Sequence, residues 1–187
     1  MLKRISILLV AVLLFSAQAY AKEIAGIIMP ATVAGDSTTL VLNGAGVRTK
    51  LFIKTYAAGL YLVQKNSDPR KILAAEEAMA IRLHIVSSLI TAEKMEEAVR
   101  EGFDKSAGSD TARIKPQIEK FISVFKEKIN ENDVYDFIYS PTKGVEIYKN
   151  SRLFEVISGP AFKQALFGIW LSDNPVQKSL KEEMLGK

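Results

Sequence analysis

Strand-like and helix-like hydrophobic patterns come in blocks along this chain; they do not alternate. Several segments with β character lead, two helical segments follow, three more strand-like segments come next, and two helical stretches close the sequence. Runs of strands followed by runs of helices point to an α+β fold on a largely antiparallel sheet. A doubly wound parallel sheet requires regular alternation of the two patterns, so it is excluded.

The individual segments carry their own signals. Thr38 to Leu42 reads as a strand ended by the turn signal Asn43-Gly44. Val47 to Leu62 is rich in β-branched and aromatic residues and holds two strands or one bent strand, with Gly59 marking a bulge or a close backbone approach. Asp68-Pro69 pairs an N-cap with proline at the first helical position and opens a short helix to about Ala75. Ala78 to Val86 alternates cleanly, with Met79, Ile81, Leu83 and Ile85 on one face and Arg82 and His84 on the other. Thr91 caps a helix whose apolar positions Met95, Ala98, Val99, Gly102 and Phe103 follow helical spacing, and a second helix is predicted over Thr111 to Ile129. Val134 to Ser140 and Val145 to Ile157, turning near Asn150-Ser151, read as three consecutive strands. Pro160 starts a helix carrying Phe162, Leu166, Ile169 and Trp170, and Asn174-Pro175 caps a last short one.

The first residues describe export. Met1-Leu2-Lys3-Arg4 is basic, Ile5 to Phe15 is apolar apart from Ser6, and Ala19 and Ala21 supply the small-x-small pattern of a secretory cleavage site. The apolar run is about half the ~20 residues that span a bilayer, which disfavours a membrane helix. Residues 1–21 are therefore expected to be a cleaved signal and 22–187 a single domain, periplasmic or otherwise exported, with no stable membrane anchor after cleavage. Removing 21 of the 187 residues leaves 166, enough for one sizeable core. Loss of Lys3 and Arg4 from the 25 basic residues leaves 23 against 21 acidic ones, so the net charge falls from +4 to +2. No Lys/Arg block interleaved with aromatics exists, so nucleic acid is not an expected partner. The small positive balance suits an anionic small molecule or surface. There is no cysteine, which excludes disulfides, thiol nucleophiles, thiolate metal sites and a lipoprotein anchor.

Few residues invite chemistry. Arg48 follows Gly44-Ala45-Gly46 and borders an apolar segment; it reads as a surface arginine at a strand end or as an anion ligand, since its planar fork matches a carboxylate. Tyr56 lies eight residues on, an even offset that puts both side chains on one face if the segment is one regular strand. His84 is the only histidine, so a multi-histidine metal site is excluded and a polar strand face is the plain reading. No Gly-x-Ser-x-Gly elbow and no complete dinucleotide fingerprint occur. Glu96-Glu97 and Glu182-Glu183 are adjacent on helices and diverge, which marks solvated faces.

At Asn43-Gly44-Ala45-Gly46-Val47-Arg48 and Phe52-Ile53-Lys54-Thr55-Tyr56-Ala57-Ala58-Gly59-Leu60-Tyr61-Leu62 the sequence resembles the chalcone isomerase family. The stretches Ile118 to Lys126 and Ala165 to Val176 agree, and the resemblance runs from Thr38 to Leu185. It implies an open-faced β-sandwich, a large antiparallel sheet with helices on one face and a ligand cleft between them. It also implies that Arg48 matches the catalytic arginine of the true isomerases. The remaining positions depart from that pattern: Tyr56 stands for a threonine, Thr91 for the active-site tyrosine, Ala98 for an asparagine and Arg152 for a later threonine or serine. The Arg48–Tyr56 pair is instead similar to that of the family's non-catalytic fatty-acid-binding members, where it grips a carboxylate.

The expectation is a non-catalytic exported protein that binds a fatty acid or similar amphipathic carboxylate. Arg48, Tyr56 and Thr91 form the expected ligand-binding set, with no catalytic residues, no metal and no cofactor. The alternative is an isomerase or lyase acting on a conjugated substrate in the same cleft, with Arg48 stabilising an oxyanion and Tyr56 or Thr91 donating a proton.

Overall fold

Alternating burial along neighbouring strands builds one large sheet. The computed structural model describes residues 21–187; the expected export signal lies outside the described residues apart from Ala21. The strands are β1 (Lys22–Ile24), β2 (Ile27–Met29), β3 (Thr32–Ala34), β4 (Thr39–Lys50), β5 (Ile53–Leu62), β6 (Met79–Ile85), β7 (Val134–Ser140), β8 (Gly144–Lys149) and β9 (Arg152–Ile157). The helices are α1 (Pro69–Ala74), α2 (Ala92–Ala107), α3 (Lys115–Ser123), α4 (Pro160–Leu171) and α5 (Lys178–Met184). β1 and β2 form a separate hairpin, and β3 to β9 pair in sequence order as a seven-stranded antiparallel sheet. This is the α+β, open-faced architecture expected from the sequence.

The sheet separates two apolar clusters. On one face Ala58, Leu60, Ile81, Leu83, Phe137 and Ile147 pack with the buried sides of α2, α3, α4 and α5. On the other, Leu40, Leu42, Ala45, Ala57 and Tyr61 pack with Met29 and Val33. α4 is apolar almost all round and is buried along most of its length, as an all-apolar helix must be. β6 places Met79, Ile81, Leu83 and Ile85 towards the helices, while Arg82 on the opposite face holds Asp136 in a bidentate pair at 2.7 and 2.9 Å. Asp68 caps α1, accepting from the Arg70 and Lys71 amides.

Three expectations are corrected. The strand starting near Thr38 does not stop at Asn43-Gly44. β4 runs through it to Lys50, with an irregularity in the register between Leu42 and Gly44. Asn43 bonds to distant backbone instead, its Nδ2 donating to Met184 O at 2.9 Å and its Oδ1 accepting from Asn66 N at 2.8 Å. The predicted Thr111–Ile129 helix is broken up: a 3₁₀ turn covers Gly108–Ala112, α3 covers Lys115–Ser123, and Val124, Phe125 and Ile129 reach the core from outside the helix. Asn174-Pro175 precedes the last helix without capping it, the cap position being Gln177.

The irregularity at Asn43 decides which β4 side chains meet the helices. Ahead of it, Leu40 and Leu42 belong to the cluster away from the helices. One residue inserted into a strand exchanges the faces of everything after it. Beyond it Ala45 takes the side of Leu42, and Gly44, Gly46 and Arg48 turn towards the helical layer. A Cβ on Gly44 would collide with the Glu183 carbonyl and come within 2.8 Å of Met184 O, and one on Gly46 would reach to 2.8 Å of Glu183 Cβ. Those two glycines thus let the C-terminal end of α5 lie directly on β4. Gly59 carries neither a register shift nor a close backbone neighbour: the atoms nearest an added Cβ, at 3.0 Å, are side-chain carbons of Met29 and Tyr61, which pack over the glycine.

Candidate functional site

Arg48 and Tyr56 face each other across neighbouring strands. The two residues do not lie on one regular strand, as their even offset would require: the chain reverses at Leu51-Phe52, and Arg48 on β4 is the direct register partner of Tyr56 on β5. Directly opposed residues in an antiparallel pair share a face, so the two side chains meet by pairing. A second register irregularity between Arg48 and Thr49 leaves that pair intact, and Thr55 Oγ1 donates to Arg48 O at 2.9 Å.

Both residues line a cavity of about 340 Å³ between the sheet and the helical layer. Leu83 and Phe137 from the sheet, Met95 and Val99 from α2, Phe121 from α3 and Ile169 and Trp170 from α4 supply an apolar wall. Phe121 is almost fully buried and also lines the cavity, so the aromatics of this region serve core and pocket together. The polar side is carried by Arg48, Lys50, Thr55, Lys94, Glu101 and Lys105. A concave, mostly apolar site with a few converging polar groups is the usual form of a small-molecule pocket.

The guanidinium is positioned by the far end of the chain. Arg48 Nη1 donates to Gln177 Oε1 at 3.1 Å and to the Thr49 carbonyl. Gln177 Oε1 also accepts from Thr49 N at 2.9 Å, while its Nε2 donates to Val47 O at 3.0 Å. Among the described residues these bonds use only Nη1, leaving Nε and Nη2 with donor capacity. Arg82, Arg100, Arg113 and Arg152 each hold a carboxylate; among the described residues Arg48 holds none. The nearby Glu101 carboxyl is tied to Lys105 at 2.5 Å, and that bond, helped by the charges of Lys105, Lys50 and Arg48, holds it below the usual carboxylate range.

Tyr56 is arranged to donate. Its oxygen accepts from Trp170 Nε1 at 3.1 Å, and among the described residues its own O–H has no acceptor. Burial pushes its pKa up, against the opposing influence of the Trp170 bond and the Arg48 charge, so the phenol keeps its proton well into the alkaline range. A cation and a neutral O–H donor on one wall, with no anion between them among the described residues, suit a carboxylate.

Thr91 is not brought to this pair. It is exposed and not part of the cavity wall, and its hydroxyl is used as the α2 cap, accepting from Lys94 N at 3.3 Å. Arg152 is also remote: it pairs with Glu127 at 2.8 Å and stacks over Phe154. Ala98 does line the cavity, contributing only a methyl group. His84 sits on the polar face with its Nε2 3.4 Å from Asn132 Oδ1. Gln177 and the hydrogen-bonding role of Trp170 have no local sequence signal, because both depend on contacts spanning more than a hundred residues of chain. Among the described residues no cluster of three or more His, Cys, Asp or Glu is placed to hold a metal, and no helix is long and apolar enough to cross a membrane.

Comparison with known proteins agrees with this architecture. A family model described as chalcone isomerase-like matches residues 21–186. Among solved structures, a fatty-acid binding protein of Arabidopsis thaliana superposes with a TM-score of 0.68 at 22% identity, over 86% of this chain and 92% of that one. At that identity the likeness speaks for the fold. No curated protein matches the sequence.

Proposed function

The chain belongs to the chalcone isomerase-like family, and from that premise we propose that it is a non-catalytic, exported binding protein for a fatty acid or similar amphipathic carboxylate. The observation that carries the reading is the Arg48 guanidinium, which holds no carboxylate among the described residues, directly across from the Tyr56 hydroxyl on the wall of an apolar cavity. The carboxylate accepts from Arg48 Nε or Nη2 and from the Tyr56 O–H, and the alkyl tail lies against Val99, Phe121, Phe137 and Ile169. Charge-assisted bonds fix the head; each buried methylene adds about 0.8 kcal/mol. The similarity in fold to a fatty-acid binding protein supports this reading. Ala98, and the absence of Thr91 and Arg152 from the cavity wall, weigh against isomerase chemistry: no side-chain amide lines the wall, and its other hydroxyls, Thr55 and Ser87, are engaged with the Arg48 carbonyl and the Leu89 amide.

Native mass spectrometry of protein recovered from expressing cells tests it. The expected result is a polypeptide beginning at Lys22 that retains a lipid carboxylate, and an Arg48→Ala variant recovered empty. An empty wild-type protein that also fails to bind a panel of fatty acids, or that turns over an enone substrate, overturns the reading.

A further inference from the structure

The described chain contains three two-residue hairpin turns whose central residues both take positive φ, and they are built from different chemistry. Ala25-Gly26 joins β1 to β2, Asn150-Ser151 joins β8 to β9, and Leu51-Phe52 joins β4 to β5. Turns of this kind favour Gly, Asn and Asp because a bulky side chain clashes at positive φ. The first two contain Gly or Asn. The third instead sets a leucine at φ +49° and a phenylalanine at φ +66°.

Those two side chains face solvent. Leu51 is 82% exposed, Phe52 is fully exposed, and Ile53 next to them is 42% exposed. The apex therefore combines a strained backbone with uncovered apolar surface, two features that folding alone selects against. It also lies at the cavity: Leu51 and Ile53 line it, as does Leu89, 56% exposed on the loop ahead of α2. Lys50 and Lys54 flank the apex, and Lys94 stands beside Leu89, its Nζ donating to the Leu89 carbonyl at 3.0 Å.

We propose that the Leu51–Phe52 apex is a wedge that inserts into an anionic lipid surface and sets the mouth of the cavity against the bilayer. Apolar side chains enter the headgroup–acyl boundary and the flanking lysines meet the anionic headgroups. The charge pattern selects this occupant. Two copies meeting apex to apex would bring Lys50 and Lys54 against their counterparts, and a projecting two-residue tip offers far less than the roughly 1,200 Å² of a specific protein interface. What the wedge delivers rests on the carboxylate reading above; the docking itself does not.

Phe52→Trp places a reporter at the apex in a chain whose one native tryptophan, Trp170, is buried. Vesicles of phosphatidylcholine with phosphatidylglycerol are expected to shift its emission to the blue; phosphatidylcholine alone has little effect and high salt weakens the shift. Adding Lys50→Glu and Lys54→Glu raises the lipid concentration for half-maximal shift at least tenfold. Adding Arg48→Ala leaves it unchanged even though the fatty acid is lost, which separates failure of this proposal from failure of the pocket assignment. Unchanged emission of the apex reporter with anionic vesicles, an effect indifferent to the lysine reversals, or a blue shift that follows protein concentration in the absence of lipid each overturns the wedge, the last in favour of self-association.

Discussion

Gln177 holds Arg48 through one oxygen: its Oε1 accepts from the guanidinium at 3.1 Å and from the neighbouring Thr49 amide at 2.9 Å. The C-terminal segment thereby fixes the orientation of a cation that sits on β4. Gln177→Ala removes that hold and keeps the charge. A hydrogen bond to a charged group contributes about 1.5–3 kcal/mol, and part of it is replaced by water at this half-exposed site. Affinity for a medium-chain fatty acid, measured by calorimetry, is expected to fall about tenfold, with the circular dichroism spectrum unchanged. A loss as complete as that of Arg48→Ala would make Gln177 a direct ligand contact.

In the proposed carboxylate site Tyr56 would donate only while protonated, and burial raises its pKa above the ordinary value near 10. A raised phenol pKa preserves the donor as pH rises, so fatty-acid affinity should stay level from pH 7 to about 10. Tyr56→Phe should lower affinity about tenfold at every pH in that window. Trp170→Phe should lower it less, since it only frees a lone pair on the Tyr56 oxygen. A wild-type midpoint below pH 10, absent in Tyr56→Phe, would show that the hydroxyl is not desolvated as described.

Gly44 and Gly46 are where α5 rests on the sheet, and the two sites differ. A Cβ on Gly44 meets the Glu183 and Met184 carbonyls, which are backbone; one on Gly46 meets chiefly the Glu183 side chain, which can move in part. Overpacking costs about 1–3 kcal/mol. Gly44→Ala is expected at the upper end and Gly46→Ala nearer the lower, read by urea denaturation. If the proposed carboxylate site is right, Gly44→Ala should also weaken binding of a fatty acid, because displacing α5 displaces Gln177 at its start.

The parts of the fold written locally were legible in the sequence. The period-two run of β6 and the Asp68-Pro69 cap needed only neighbours a few residues apart. Asn43-Gly44 misled because its turn chemistry serves contacts 141 residues away, and the true reversal falls at Leu51-Phe52, which carries none of the usual turn residues. The apolar stripe after Thr111 kept its spacing while the helix broke, since Val124 and Phe125 reach the same core from turns. At the site, Arg48 and Tyr56 could be named from sequence. Gln177, Trp170 and the exclusion of Thr91 are properties of tertiary contacts, and no local pattern encodes them.

Lys163 offers a test of the fold away from the pocket. Only 2% of it is exposed, yet its ammonium donates to Leu73 O at 2.8 Å and Ala75 O at 2.7 Å, ending α1, and lies over the Tyr139 ring. Burial pulls its pKa down to about 8, against the attraction of Glu76. The unfolded chain keeps this proton up to about 10.4, so between about pH 8 and 10 the unfolded state binds more protons than the folded one. Stability contributed by this group therefore rises with pH across that window and is flat below it. Lys163→Met leaves two helix-end carbonyls short of a donor and should cost about 2 kcal/mol at pH 7. The gap between wild type and variant should widen from pH 8 to 10, as followed by urea denaturation at fixed ionic strength; a gap that narrows would mean that the folded state holds the ammonium more tightly than water does.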